Sequence, residues 1–264
     1  MKLDKIILLF LLLVLPGIMY FYLTTGYNNF IKLEIIGEED YSIDDFSFIN
    51  QNNDTITKDS MTGSIYVANF FFTSCPTICP KMTRNMSYLQ DKLSVFPNIR
   101  FLSHTVDPFN DTPEKLLSYV DSMKQKNIYI DLSNWDFVTG DKDKLYQSAS
   151  NYFVNATSDS LAPGGFLHSE YFILIDKQGR VRSGVDKSGN TVGAYDGTNE
   201  AQMKDLINDI NVLMAEYKKP LKIDKNGNAV GAYDGTNEVQ MKDLINDINV
   251  LMAEYKRPLK NDKD

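Results

Sequence analysis

The sequence predicts an α/β sandwich of the thioredoxin-like kind, preceded by a transmembrane helix and followed by a duplicated helical segment. Three observations carry this expectation. Apolar, strand-like runs alternate with helix-period stretches between residues 65 and 153, and a strand–turn–strand at 170–183 closes the pattern. An uncharged apolar run spans Ile6–Leu23. Residues 187–224 recur at 225–262 with five differences.

From the start of the chain, Lys2 and Lys5 precede the apolar run. At about 1.5 Å per residue it reaches roughly 27 Å, enough to cross a hydrocarbon core of about 30 Å. It is long for a signal-peptide core and no small-x-small cleavage site follows, although a cleaved leader is the alternative. The two lysines predict a cytoplasmic N-terminus and a domain on the extracytoplasmic side of a bacterial-type inner membrane, single-pass. The expected division is an anchor at 1–25, a linker at 26–42, a globular domain at 43–222, and the repeated segment at 223–264. The chain carries 35 acidic against 27 basic side chains, a net charge of −8, with no basic stripe. That pattern speaks against nucleic-acid binding.

Phe46–Ile49 and Thr55–Thr57 flank Asn50-Gln51-Asn52-Asn53-Asp54, a hairpin pattern. A strand follows at Ile65–Phe72, then a helix from about Lys81 to Leu93. Arg100–Val106 reads as a second buried strand ending at Asp107-Pro108. Asp111-Thr112-Pro113-Glu114 starts a helix with Thr112 as N-cap and Pro113 at N1, carrying Leu116, Leu117, Val120 and Met123 on one face. A short strand at Trp135–Val138, a helix at Lys142–Phe153, a loop containing Pro163-Gly164-Gly165 and strands at Glu170–Ile175 and Arg180–Ser183 complete the sandwich. In the first repeat copy, Met203, Leu206, Ile207, Ile210, Leu213, Met214 and Tyr217 share a helix face, with Asn199 and Gln202 as a capping box. Two copies are too few for a solenoid. The first is expected to complete the domain; the second packs elsewhere, dimerises or competes for the same slot.

The chemistry centres on Phe72-Thr73-Ser74-Cys75-Pro76-Thr77-Ile78-Cys79-Pro80, which holds both cysteines of the chain. Thiols four positions apart on a helical turn lie roughly 6 Å apart at Cα, close enough to form a disulfide or to share one soft metal ion. A purely structural disulfide is the bland reading, but so short a loop restrains little chain. Of the two histidines, His104 sits inside a strand and reads as structural. His168 lies at a loop-to-strand junction after Gly164-Gly165 and can join the thiols. A Cys2His set suits Cu(I) and Cu(II); zinc would want a fourth ligand. Asp107 is an N-cap, a turn former or an acid behind the site. A thiol–disulfide oxidoreductase using Cys75 and Cys79 is the competing reading, since this scaffold hosts both activities. A peroxidase is disfavoured, because no Pro-x-x-x-Thr-x-x-Cys motif is present.

Phe72-Thr73-Ser74-Cys75-Pro76-Thr77-Ile78-Cys79-Pro80, Val106-Asp107-Pro108 with Asp111-Thr112-Pro113, and His168-Ser169 before Tyr171–Asp176 together resemble the SCO/SenC family of copper-delivery proteins for cytochrome c oxidase. The resemblance spans roughly residues 40–217. It implies a thioredoxin-like fold tethered by one N-terminal helix, with copper bound by Cys75, Cys79 and His168 and Asp107 nearby. It also implies a role in building the dinuclear copper centre of oxidase subunit II, by handing over copper, by reducing that subunit's cysteines, or both. A copper donor and a thiol reductant would be further partners. The second repeat copy and the extra turn at Val185–Gly189 depart from the family pattern.

Overall fold

The computed structural model describes residues 33–38, 40–158, 166–182, 184–185, 191–217, 222–223 and 229–230, together with Val14, which is helical. The expected anchor, apart from Val14, lies outside the described residues, as do the Pro163-Gly164-Gly165 loop and nearly all of the second repeat copy. Among the described residues no helix is long and apolar enough to cross a membrane. Residues 1–31 form one compact unit and residues 32–264 a second.

The centre of the second unit is β3 (Ile65–Phe71), buried at all seven positions. Such a run without charge is what a central strand covered on both faces requires. β4 (Ile99–Thr105) lies parallel to it, from Ile65↔Ile99 to Phe71↔Thr105, and β5 (Trp135–Thr139) lies parallel to β4. Parallel neighbours need crossovers, supplied by α2 (Cys79–Lys92) and α3 (Pro113–Gln125). Beyond β5 comes the hairpin of β1 (Ser47–Asn50) and β2 (Thr55–Thr57), after which Lys58–Met61 make the one-turn α1. The Asn50 side chain accepts hydrogen bonds from the backbone of Asn52 and Asp54, both at 2.9 Å, which fixes that turn.

On the other side of β3 runs antiparallel β8 (Tyr171–Ile175). Its outer edge is shared by β9 (Val181–Arg182) and β12 (Tyr195–Asp196), so the sheet reads β12-β8-β3-β4-β5-β1-β2 with β9 beside β8. Three small hairpins lie off this sheet: β6 (Ala156–Ser158) with β7 (Phe166–His168), β10 (Gly184–Val185) with β11 (Thr191–Val192), and β13 (Lys222–Ile223) with β14 (Ala229–Val230). Helix α4 (Lys142–Asn151) follows β5, and α5 (Glu200–Glu216) packs against α2.

Most expected elements form within two residues of their expected bounds. Three details are corrected. The stretch expected as linker belongs to the folded body from residue 33 onward: Leu33 is buried, and Ile35 bridges Arg182. Glu216 accepts from the Leu33 N–H at 2.8 Å and from Arg182 at 2.6 Å, so an ion pair clasps that stretch to the end of α5. On α3 the buried set is Leu116, Tyr119, Val120 and Met123, while Leu117 is exposed; adjacent positions on a helix point about 100° apart. Asn199 does cap α5, accepting from Ala201 N at 3.0 Å, but Gln202 turns to the Asp196 N–H rather than closing a capping box.

Candidate metal centre

At Phe72 the chain leaves the sheet and turns into α2. Ile78 is the N-cap, without a side-chain hydrogen bond, and Cys79 opens the helix with Pro80 beside it. Proline is at home there because first-turn N–H groups have no intrahelical partner. The placement sets a sulfur at the positive end of a helix whose first turn has no acidic residue. Cys75 sits on the preceding turn, its N–H donating to the Phe72 carbonyl at 3.2 Å.

His168 arrives from the β6–β7 hairpin, in register with Ala156. The Ser169 carbonyl lies 3.1 Å from His168 Nδ1, and Cys79 Sγ lies 3.4 Å from Nε2. With its proton on Nδ1, donated to that carbonyl, the ring turns the Nε2 lone pair toward the thiols, as a soft-metal ligand requires. Phe72 packs edge-on to the imidazole with centroids 5.5 Å apart, and Phe166 packs on Phe72. The two sulfurs and a His168 nitrogen all lie within 4.8 Å of one another. Among the described residues this is the one group of three or more such side chains that could hold a metal ion. All three are buried, Cys75 at 8% exposed and Cys79 at 0%. Neither cysteine is in a disulfide.

The two thiols differ electrostatically. Hydrogen bonding from Cys79 holds Cys75 well below the ordinary thiol range against the cost of burial, helped by the backbone N–H groups of Cys79 and Thr77. Cys79 is pushed upward by the same bond to Cys75 and then by burial. The hydrogen bond between the two sulfurs therefore splits the pair, drawing Cys75 down and pushing Cys79 up.

A carboxylate braces this loop, and it is Asp111. Asp111 accepts from the Thr73 N–H at 3.1 Å and from the hydroxyls of Thr73 and Thr105. Burial pushes its pKa up while these donors pull it down, and the net direction is upward. In the sequence Asp111 reads only as the lead-in to α3; the available signal is a second aspartate four positions after Asp107, ahead of an already capped helix. The Asp107 carboxylate is buried and accepts from the Asn110 amide at 2.8 and 3.1 Å, closing the turn between β4 and α3. His104 is fully buried and away from the thiols: it stacks on Phe70 at 4.8 Å and is ringed by Phe48 and Tyr152.

A family model described as SCO1/SenC matches residues 37–201. The SCO1 protein homolog of Bacillus subtilis (strain 168) is 30% identical over 172 residues, covering 64% of this chain and 81% of its own. The solved structure of BsSco, described as a member of the Sco family of cytochrome c oxidase assembly proteins and as having a disulfide switch, superposes with a TM-score of 0.56. It is 29% identical and covers 70% of this chain and 99% of its own. Yeast Sco1, solved with copper bound, shares the fold at a TM-score of 0.50 and 23% identity, over 68% of this chain and 91% of its own.

Proposed function

As the chain belongs to the SCO1/SenC family, we propose that it takes up one copper ion through Cys75, Cys79 and His168 and passes it to the dinuclear copper centre of cytochrome c oxidase subunit II. The observation that carries this reading is the convergence of two sulfurs and an imidazole nitrogen within 4.8 Å. Two thiolates favour Cu(I), and the imidazole extends the site to Cu(II). Copper here is cargo: a small, buried site with one edge at the Cys75 turn can hold the ion away from solvent and open at that edge. The apolar run at Ile6–Leu23 would tether the domain that begins at residue 33 on the outer side of the membrane, with 223–264 as surplus to it.

A second activity is favoured by the unequal thiols. Cys75 as thiolate would attack a disulfide of the target, forming a mixed disulfide and releasing one target thiolate. Cys79 would then attack Cys75 Sγ, releasing the second, its proton passing to His168 Nε2 at 3.4 Å. One Cys75–Cys79 disulfide forms as one target disulfide is reduced, and a separate thiol reductant must restore the pair.

Metal stoichiometry on the full chain, purified reduced in detergent beside His168→Ala, tests the copper reading. One copper retained per chain through desalting, with Cu(II) lost in the variant, supports it. No retained copper, with ready dithiol–disulfide cycling, would leave only the reductase.

A further inference from the structure

The slot that α5 fills has two occupants encoded in the same chain. The buried residues Tyr195, Met203, Leu206, Ile210 and Leu213, and the clasp residue Glu216, recur 38 positions later as Tyr233, Met241, Leu244, Ile248, Leu251 and Glu254. Of the five differing positions, Ala201 is exposed, and none of the buried slot residues named above differs. The backbone repeats as well. β10 and β11 pair as Gly184↔Val192 and Val185↔Thr191, and β13 and β14 pair as Lys222↔Val230 and Ile223↔Ala229, the same register one repeat on.

One residue decides how an exchange can occur. Gly184 lies just outside the repeat, and a Cβ there would stand 2.2 Å from Asp209 Oδ2 and 2.3 Å from the Tyr195 hydroxyl. One repeat later the residue is Lys222, so β13 cannot take the place of β10. β14 can take the place of β11, because its partner Gly184 stays where it is.

We infer that residues 229–254 are a second, exchangeable occupant of the α5 slot in the same molecule, with β14 paired to β10 and the first copy looped out. The loop between the paired strands grows from 186–190 to 186–228. The probability of closure falls as the 3/2 power of length, so a loop about 8.6-fold longer sets the second state at about one molecule in twenty-five. Two hydrogen bonds tie the slot to the rest of the domain: Asn85 of α2 donates to the Gly197 carbonyl at 2.7 Å, and the Gly197 N–H donates to the Glu170 carbonyl at 2.8 Å. Gly235 reproduces both contacts when the second copy docks. The exchange is independent of copper binding.

The test uses the full chain with Leu206→Asp, Leu244→Asp and both together, unfolded in urea and followed by fluorescence of Trp135, the one tryptophan. Leu244→Asp should leave the unfolding constant within about twofold. Leu206→Asp should raise it by about twenty-five-fold and no more, because the second copy takes over. The double variant should raise it about a thousandfold or more, a buried charge then having no alternative. Leu206→Asp as damaging as the double variant would overturn the inference. So would a rescue of Leu206→Asp that vanishes on dilution or comes with a dimer, since that is exchange between chains. Should aspartate cause aggregation, Leu206→Ala with Leu213→Ala must show the same ceiling of about twenty-five-fold.

Discussion

The chain has two histidines, and the surroundings of each make opposite use of the same ring. His104 lies near the C-terminal end of β4, between Phe48, Phe70 and Tyr152, with neither ring nitrogen hydrogen-bonded. Burial lowers its pKa to about 3, so it behaves as a flat, neutral filler. His168 sits at the end of a two-strand hairpin with one nitrogen tied to the Ser169 carbonyl and the other turned to Cys79. An imidazole becomes a ligand when one nitrogen is anchored and the other is presented to an open, polarisable partner. Rings on every side leave it only shape.

Exchanging the two roles gives the largest expected effect. His168→Ala should lower copper affinity at least a hundredfold, more than loss of an outer hydrogen-bond partner of a metal ligand costs, and leave urea stability within about 1 kcal/mol. His104→Ala should do the reverse, leaving copper retention unchanged and costing about 3 kcal/mol through the cavity. Equilibrium dialysis against a copper chelator and urea titration read the two quantities separately. Copper loss in His104→Ala beyond the unfolded fraction would break the contrast.

The same contrast has a pH signature. The folded chain keeps His104 neutral down to about pH 3, whereas its ordinary pKa is 6.5. Unfolding therefore takes up a proton below pH 6.5. The stability held by the neutral ring is complete above that pH and is lost as pH falls toward 3, on the order of 5 kcal/mol in all. His104→Phe should flatten that limb in urea midpoints taken between pH 7 and 4. An unchanged slope would show that another group carries it.

Asp111→Asn is the next smaller change. An amide cannot accept from Thr73 N–H and both hydroxyls together, so at least one buried donor loses its partner, at about 1–3 kcal/mol. Copper affinity should drop about 10- to 100-fold, as for other groups that orient ligands at one remove. Asp107→Asn should alter affinity less, because that carboxylate engages Asn110. Competition with a chelator orders the two, and a larger loss for Asp107→Asn would reverse the assignment.

How much of the molecule is legible in its sequence depends on the range of the forces involved. β3, α2 and α3 announce themselves through local pattern: an uncharged run, a proline in the first turn, a Thr112 cap. Cys75 and Cys79 are visible because they are the only cysteines. His168 is visible as a lone imidazole at a loop's end, but which nitrogen it presents depends on Ser169 and on the β6–β7 pairing, neither of which leaves a periodic trace. Asp111 reads as part of a helix start because its partners, Thr73 and Thr105, come together only when β3 and β4 pair. The clasp of residue 33 by Glu216 joins positions 183 apart in sequence, and no short-range rule anticipates it.

The smallest effect belongs to the Arg180–Asp176 ion pair beside that clasp and separates from the histidine by pH. Asp176 is buried, yet hydrogen bonds from Arg180, Arg182 and the backbone of Gln178 outweigh the burial cost, and its pKa falls below the ordinary 3.8. Its contribution is therefore complete above pH 3.8 and is lost only as pH falls below it, after the His104 limb has run most of its course. In His104→Phe the remaining acid unfolding should lie in that lower window. Arg180 is partly exposed and Arg182 remains on the same oxygen, so Arg180→Ala in the His104→Phe background should cost about 0.5–1 kcal/mol near neutral pH. That difference should shrink toward zero as Asp176 protonates, because the lost partner matters only to the charged carboxylate. Acid titrations of the two chains in parallel measure it, and a difference that persisted unchanged below the carboxylate range would show that Arg180 acts through packing rather than charge.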